Sequence, residues 1–223
     1  MVDKEPSAPR ETEEALEEAS KHHIQRWPAF LALLVIVVTY SEISQNLTPL
    51  PRFVIPATVT AGILLITLAI TRGSHLLVRP IALILIGAIT LTELVSTLLL
   101  VSILPRGAIG PVGLLQDAAL IWVINVVTFA LWYWEIDGGG PLMRKMRPHE
   151  AKDFLFPQQA IAEPENWSSR FIDYLFLAFN HSTAFSPTDT AVLSRRAKVL
   201  VMIQATLSLM AIAVLIAKAI NSL

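Results

Sequence analysis

The sequence predicts an all-α polytopic membrane protein with about five transmembrane helices plus a short re-entrant or half-helix. Two observations carry that class. The 223 residues are 54% hydrophobic and only 16% charged, where a soluble domain is nearer a quarter charged. Five stretches reach or approach the roughly 20 apolar residues that a helix needs to cross a bilayer. The absence of cysteine removes disulfides, thiolate zinc sites and cysteine nucleophiles together. A net charge of −1 supplies no basic surface for nucleic acid.

Residues 1–26 hold seven acids and four bases, a net of −3. They lack the basic start and apolar core of a signal peptide and offer no apolar stripe to bury, so they read as a polar, acidic, largely disordered tail. A four-span bundle is expected over 27–135. Its first span starts at the interfacial Trp27 and runs to about Asn46, with Glu42 near the far end. The second runs from Phe53 to about Thr71, and Arg72-Gly73-Ser74-His75 closes it. The third runs from Pro80 to Leu104 and stops at Pro105-Arg106-Gly107. The fourth runs from Pro111 to Trp132-Tyr133-Trp134, which reads as an interfacial aromatic belt.

Residues 136–166 read as a polar linker loop. Gly138-Gly139-Gly140-Pro141 breaks the helix and serves as a hinge before Arg144, Lys145, Arg147 and Lys152. The last unit, 167–223, opens on the apolar run Phe171–Phe179, with Ser168 or Ser169 as N-cap. That run is about half the length of a span. It reads as a half-helix, with an interfacial helix or a sixth span as alternatives. The closing span covers roughly Ala197 to Ile220. Five spans with a cytoplasmic N-terminus place fourteen Lys/Arg inside and three outside; six spans give twelve and five. Either count puts the N-terminus in the cytoplasm of a plasma (inner) membrane.

From Trp167 onward the features fall in a recognisable order. Phe171-Ile172-Asp173-Tyr174-Leu175-Phe176 leads to Phe179-Asn180-His181-Ser182-Thr183, then a loop with Asp189-Thr190, then Leu193-Ser194-Arg195-Arg196-Ala197-Lys198. This resembles the pore helix, filter loop and inner helix of tetrameric potassium channels. The resemblance implies a homo-oligomer around an axis, with Ser182, Thr183, Ser186, Thr188 and Asp189 at the pore loop. The filter departs from the family. Ala184-Phe185-Ser186-Pro187-Thr188-Asp189 has no glycine, so the backbone cannot cheaply turn successive carbonyls toward an ion. A potassium-selective filter is therefore not expected. Orientation also conflicts, because such channels admit the loop from outside, whereas the five-span count puts it inside.

Asp153 to Pro157 (Asp-Phe-Leu-Phe-Pro), Asp173 to Phe176, Ser186 to Thr190 and Ser194-Arg195-Arg196 together resemble an uncharacterised bacterial inner-membrane family, known by a domain-of-unknown-function label. That resemblance implies a bacterial multipass membrane protein and brings no activity with it.

Ionisable groups inside spans are costly and so mark functional positions. Glu93 is the fourteenth of the 25 residues from Pro80 to Leu104, and Thr90, Ser96 and Thr97 share its helical face. It reads either as a proton or cation site or as a packing contact to a neighbouring helix. Asn125 with Thr128, and Gln204 with Ser208, read first as cross-links between helices. Glu42 and Asp117, near span ends, read as solvated at the interface. The five histidines form no ligand pair at helical spacing, and no zinc-protease, phosphate-loop or nucleophile-elbow motif occurs. No catalytic residue, metal or cofactor is assigned, and no enzyme is expected. The expected partners are the lipid bilayer, further copies of the chain and a small cation. A pore or transport protein with a divergent pore module is one expectation, and a non-conducting structural or regulatory membrane protein is the alternative.

Overall fold

The computed structural model describes residues 26–104, 110–146, 153–161, 167–183 and 189–221. The acidic tail, apart from Arg26, and the pore-loop candidates Ser186 and Thr188 lie outside the described residues. The described chain is mostly helical, so the all-α class holds. In order it forms α1 (Trp27–Glu42), α2 (Val54–Thr71), α3 (His75–Ile103), α4 (Pro111–Ile136), the short α5 (Pro141–Met146) and α6 (Pro157–Ile161), α7 (Phe171–Thr183) and α8 (Arg195–Asn221). A two-stranded antiparallel ribbon joins β1 (Phe154–Leu155) to β2 (Ala191–Val192), with Phe154 opposite Val192.

Four helices, α2, α3, α4 and α8, are long and apolar enough to cross a membrane. α1 is equally apolar but stops after 16 residues, about 24 Å, instead of running on to Asn46. Polar groups end it. The Ser44 N–H donates to Asp117 Oδ1 at 3.0 Å, and the Gln45 amide bonds Thr48 Oγ1 at 2.8 Å and the Leu50 carbonyl at 3.0 Å. These bonds replace the helical ladder with a 3₁₀ turn over Gln45–Leu47. Asp117 is thus buried against that turn, only 2% exposed, where the sequence suggested interfacial solvation. Glu42 is exposed, as expected.

α3 begins at His75 and carries Pro80 in its second turn. The proline forfeits a bond only to the carbonyl of the exposed Leu76, so the helix runs through it. α2 and α3 approach closely at Gly62, where a Cβ would lie 2.6 Å from Leu85 Cδ2. α4 is the hub. It packs on α1, α3, α7 and α8, and 61% of its apolar window is buried, against 28% for α2 and α8.

The start of α1, the end of α2 and the start of α3 meet the end of α4 and the start of α8 at one end of the bundle. Arg26 Nη1 reaches Glu135 Oε1 at 3.3 Å, Arg79 Nε reaches the Glu135 carbonyl at 3.4 Å, and Arg196 Nη2 reaches the Ile136 carbonyl at 3.3 Å. α7 starts at this same end and descends to the depth of Asn125, and β2 brings the chain back to it. The short apolar run is thus a 13-residue helix, and the segments on either side of it, Trp167–Arg170 and β2, lie at the Arg26 end.

Candidate functional site

Polar side chains from four helices converge midway along the bundle. Glu93 is the nineteenth of the 29 residues of α3 and is 1% exposed. Its Oε1 accepts from Asn125 Nδ2 of α4 at 2.7 Å. Asn125 Oδ1 in turn accepts from Ser182 Oγ of α7 at 2.9 Å. Gln204 of α8 donates to Ser182 Oγ at 2.8 Å and to the Ala178 carbonyl at 2.7 Å, and accepts from the Tyr133 hydroxyl. Ser208 donates to the Ser182 carbonyl at 2.5 Å, satisfying one of the acceptors a helix C-terminus leaves open. Asn125, Ser182 and Gln204 are thereby matched on every side chain.

The other half of this cluster is not matched. Glu93 Oε2 has no hydrogen-bond partner among the described residues. Neither do the buried hydroxyls of Thr97 and Thr128. Tyr40 of α1 pairs its phenol with the Ser96 hydroxyl, within electrostatic reach of the Glu93 carboxyl. Thr97 lies one turn beyond Glu93 on the same face, and Thr128 one turn beyond Asn125. Four buried hydroxyls from three helices (Tyr40, Ser96, Thr97 and Thr128) thus lie on the faces around Glu93 and Asn125, at a depth where unmatched polar groups are costly. Thr90, also on that face, is instead occupied by Trp132, whose Nε1–H donates to Thr90 Oγ1 at 2.8 Å.

A second polar assembly sits at the Arg26 end. Asp137 and Asp153, 0% and 2% exposed, are its two carboxylates. Asp137 Oδ1 accepts the Asp153 and Phe154 backbone N–H groups at 2.8 and 3.3 Å, and its Oδ2 accepts the Tyr174 hydroxyl at 2.5 Å. Asp153 accepts from Arg196 Nε at 2.7 Å and Nη2 at 2.6 Å, from Ser194 Oγ at 2.5 Å and from the Gly138 N–H at 3.2 Å. Burial raises the Asp153 carboxyl, but the hydrogen bonds from Arg196 and Ser194 and the guanidinium charge outweigh it, holding Asp153 below the usual carboxylate range. Arg144 Nη1 caps the end of α4, donating to the carbonyls of Trp134 and Asp137 at 2.7 and 2.6 Å. Its guanidinium carbon lies 4.6 Å from the Trp134 ring centre and 5.0 Å from that of Tyr174.

Three expectations give way here. The Gly138–Gly140 run is a pinned turn instead of a hinge. All three glycines take positive φ (57°, 84° and 96°), and a Cβ on Gly140 would lie 3.2 Å from the Glu135 carbonyl oxygen. Ser168 and Ser169 do not cap α7. Ser169 pairs with the Tyr174 hydroxyl at 2.8 Å, while Asp173 reaches back to the Arg170 N–H at 2.7 Å. Trp132-Tyr133-Trp134 is no uniform interfacial belt, because Tyr133 and Trp134 are buried.

The structure thus joins Glu93, Asn125, Ser182 and Gln204, and keeps Thr97 beside them. It places Thr183 at the half-buried end of α7 and leaves Asp189 exposed beside β2. Sequence reasoning missed Tyr40 and Tyr133 at the cluster and Asp137 at the bundle end. A phenol inside an otherwise apolar run was the available signal for the first two. No family model, curated protein or solved structure matches the chain.

Proposed function

We propose that this chain is a multipass membrane protein of the transport class, which carries a proton or small cation past Glu93. In this reading α1 crosses with the four longer helices, and the Arg26 end faces the cytoplasm of a plasma membrane, as fourteen bases on that side against three on the other favour. The single observation behind the transport reading is the unmatched half of the Glu93 cluster. A contact serving only to hold helices together needs its oxygens partnered. A transient ligand site needs them available. α7 adds to this by directing its C-terminal, electronegative end to the same depth, which favours a cation there. One chain supplies every group, so an oligomer, which the channel resemblance implies, multiplies the route instead of completing it.

A non-conducting structural protein is the second reading, favoured by the complete matching of Asn125, Ser182 and Gln204. Flux measurement in liposomes containing the purified chain separates the two. The wild type should dissipate an imposed pH or sodium gradient with no potassium-over-sodium preference. Glu93→Gln should keep its thermal midpoint and slow that flux at least about tenfold, the loss expected for an acid–base or charge role. Wild-type liposomes as tight as empty ones, or unchanged flux in Glu93→Gln, would sink the transport reading.

A further inference from the structure

A cleft of about 760 Å³ opens sideways between α1 and α7 at the Arg26 end. Its walls divide by chemistry. Toward the bundle end it is lined by Arg144, Lys145 and Arg170, with the Ser168 and Ser169 hydroxyls. Toward mid-bundle it is lined by Leu31, Val35, Ile172 and Leu175. Three cations line it and no described acid does. Arg144 is 7% exposed, and its Nη2 has no hydrogen-bond partner among the described residues. Leu31, Val35 and Ile172 are 51%, 42% and 62% exposed, so the apolar half of the cleft faces outward, where acyl chains would lie. Trp27 and Trp167 also line the cleft, and tryptophan favours the headgroup depth of a bilayer.

We propose that this cleft is a binding site for one anionic phospholipid. The phosphate lies against Lys145, Arg170 and the edge of Arg144. One acyl chain lies along the stretch from Trp27 to Val35, about 12 Å of α1. Two features argue for a lipid over a soluble anion: the apolar half of the cleft is continuous with the cationic half, and it opens laterally. The charge argues for an anionic over a zwitterionic headgroup, because a choline or ethanolamine would bring a fourth cation to a site with no described acid. Arg144 is already committed through Nη1 to the α4 carbonyls, so lipid binding would couple the headgroup to the turn that holds Asp137. The proposal rests on the membrane reading above but not on transport through Glu93.

Tryptophan quenching by brominated lipid tests it, because Trp27, Trp134 and Trp167 all line the cleft. The full chain is reconstituted in phosphatidylcholine vesicles, and brominated phosphatidylglycerol or brominated phosphatidylcholine is titrated in. The expected result is a saturable extra quench by the brominated anionic lipid at low mole fraction. The double substitution Lys145→Gln/Arg170→Gln, at two exposed positions, should weaken that preference about fivefold per charge removed. Bulk quenching by brominated phosphatidylcholine should be unchanged in the same variant. Val35→Trp, which fills the apolar half, should abolish the extra quench without touching the charge. Equal quenching by both lipids overturns the proposal. So does displacement by millimolar inorganic phosphate, which would mark a headgroup-sized anion site, or by oleate at equal potency. Binding that appears only after deletion of residues 1–20 would instead make the cleft the seat of the acidic tail, and the lipid proposal fails. If the chain does not float with the vesicles at all, the membrane reading itself fails, and that outcome is visible before any lipid is titrated.

Discussion

Two buried carboxylate sites in this molecule, the Asp137–Asp153 pair and Glu93, differ in how completely their oxygens are matched. In the Asp137–Asp153 pair at the Arg26 end all four carboxylate oxygens accept hydrogen bonds, although Glu135 Oε2 and Arg144 Nη2 beside it have no partner among the described residues. The cluster around Glu93 has one carboxylate, and one of its two oxygens accepts nothing from the described residues. The difference separates two uses of buried polarity. Matched groups fix one arrangement of the chain, since every alternative leaves a donor or acceptor stranded. Unmatched groups hold no arrangement in place and remain open to a ligand.

The largest effect expected from this contrast is at Asp137. Removing its carboxylate in Asp137→Ala strands two backbone N–H groups, at about 1–3 kcal/mol each, and leaves the Tyr174 hydroxyl only its bond to Ser169. The loss in stability should be roughly 3–5 kcal/mol, read as a fall in unfolding midpoint in detergent. A loss under about 1 kcal/mol would mean that the pair does not hold the turn.

A smaller effect is expected on acidification. The Asp153 carboxyl is lowered in the folded protein, so its contribution is fully present above the ordinary aspartate value near 4. It is lost as pH falls through the lower folded value. Wild-type stability should therefore drop on acidification below about pH 4, and Asp153→Asn should flatten that drop while lowering stability at neutral pH. Parallel pH profiles for the two proteins would contradict the assignment. The partly exposed Arg196, 58% accessible at its side chain, limits the size of the change.

The smallest effect should come from the unmatched half of the cluster. Thr97→Val removes a hydroxyl with no partner among the described residues and Ser96→Ala one that faces only the Tyr40 phenol of α1, so each should shift stability by less than about 0.5 kcal/mol. If transport proceeds past Glu93, the same substitutions should still change flux or its pH profile. A stability loss above 1 kcal/mol in either would show that the hydroxyls are structural partners after all.

The long helices were legible because hydropathy is a local property: α2, α4 and α8 begin and end within a few residues of the apolar runs that announce them. The end of α1 was not, because Ser44 and Gln45 stop it through contacts with Asp117 and the loop to Arg52, which no local pattern encodes. Glu93, Asn125, Ser182 and Gln204 could each be picked out as polar residues in apolar surroundings. Their meeting could not, since they are separated by 32, 57 and 79 positions along the hydrogen-bonded pairs that join them. Asp137 escaped notice for a further reason. Beside three glycines an aspartate looks like turn chemistry, and only the return of the chain at Asp153 gives its carboxylate something to hold.

The half-helix has a consequence for how the chain is built in the cell. At 13 residues α7 measures about 20 Å, too short to pass from a translocation channel into lipid as an independent segment. It packs on α4 and α8, and the bonds that fasten its inner end come from Asn125, Gln204 and Ser208. Gln204 and Ser208 are synthesised after it. In the membrane reading proposed above, α7 would wait at the membrane surface during synthesis until α8 is inserted, and only then seat in the groove between the two. On that reading the seating of α7 is a docking step that follows the insertion of α8.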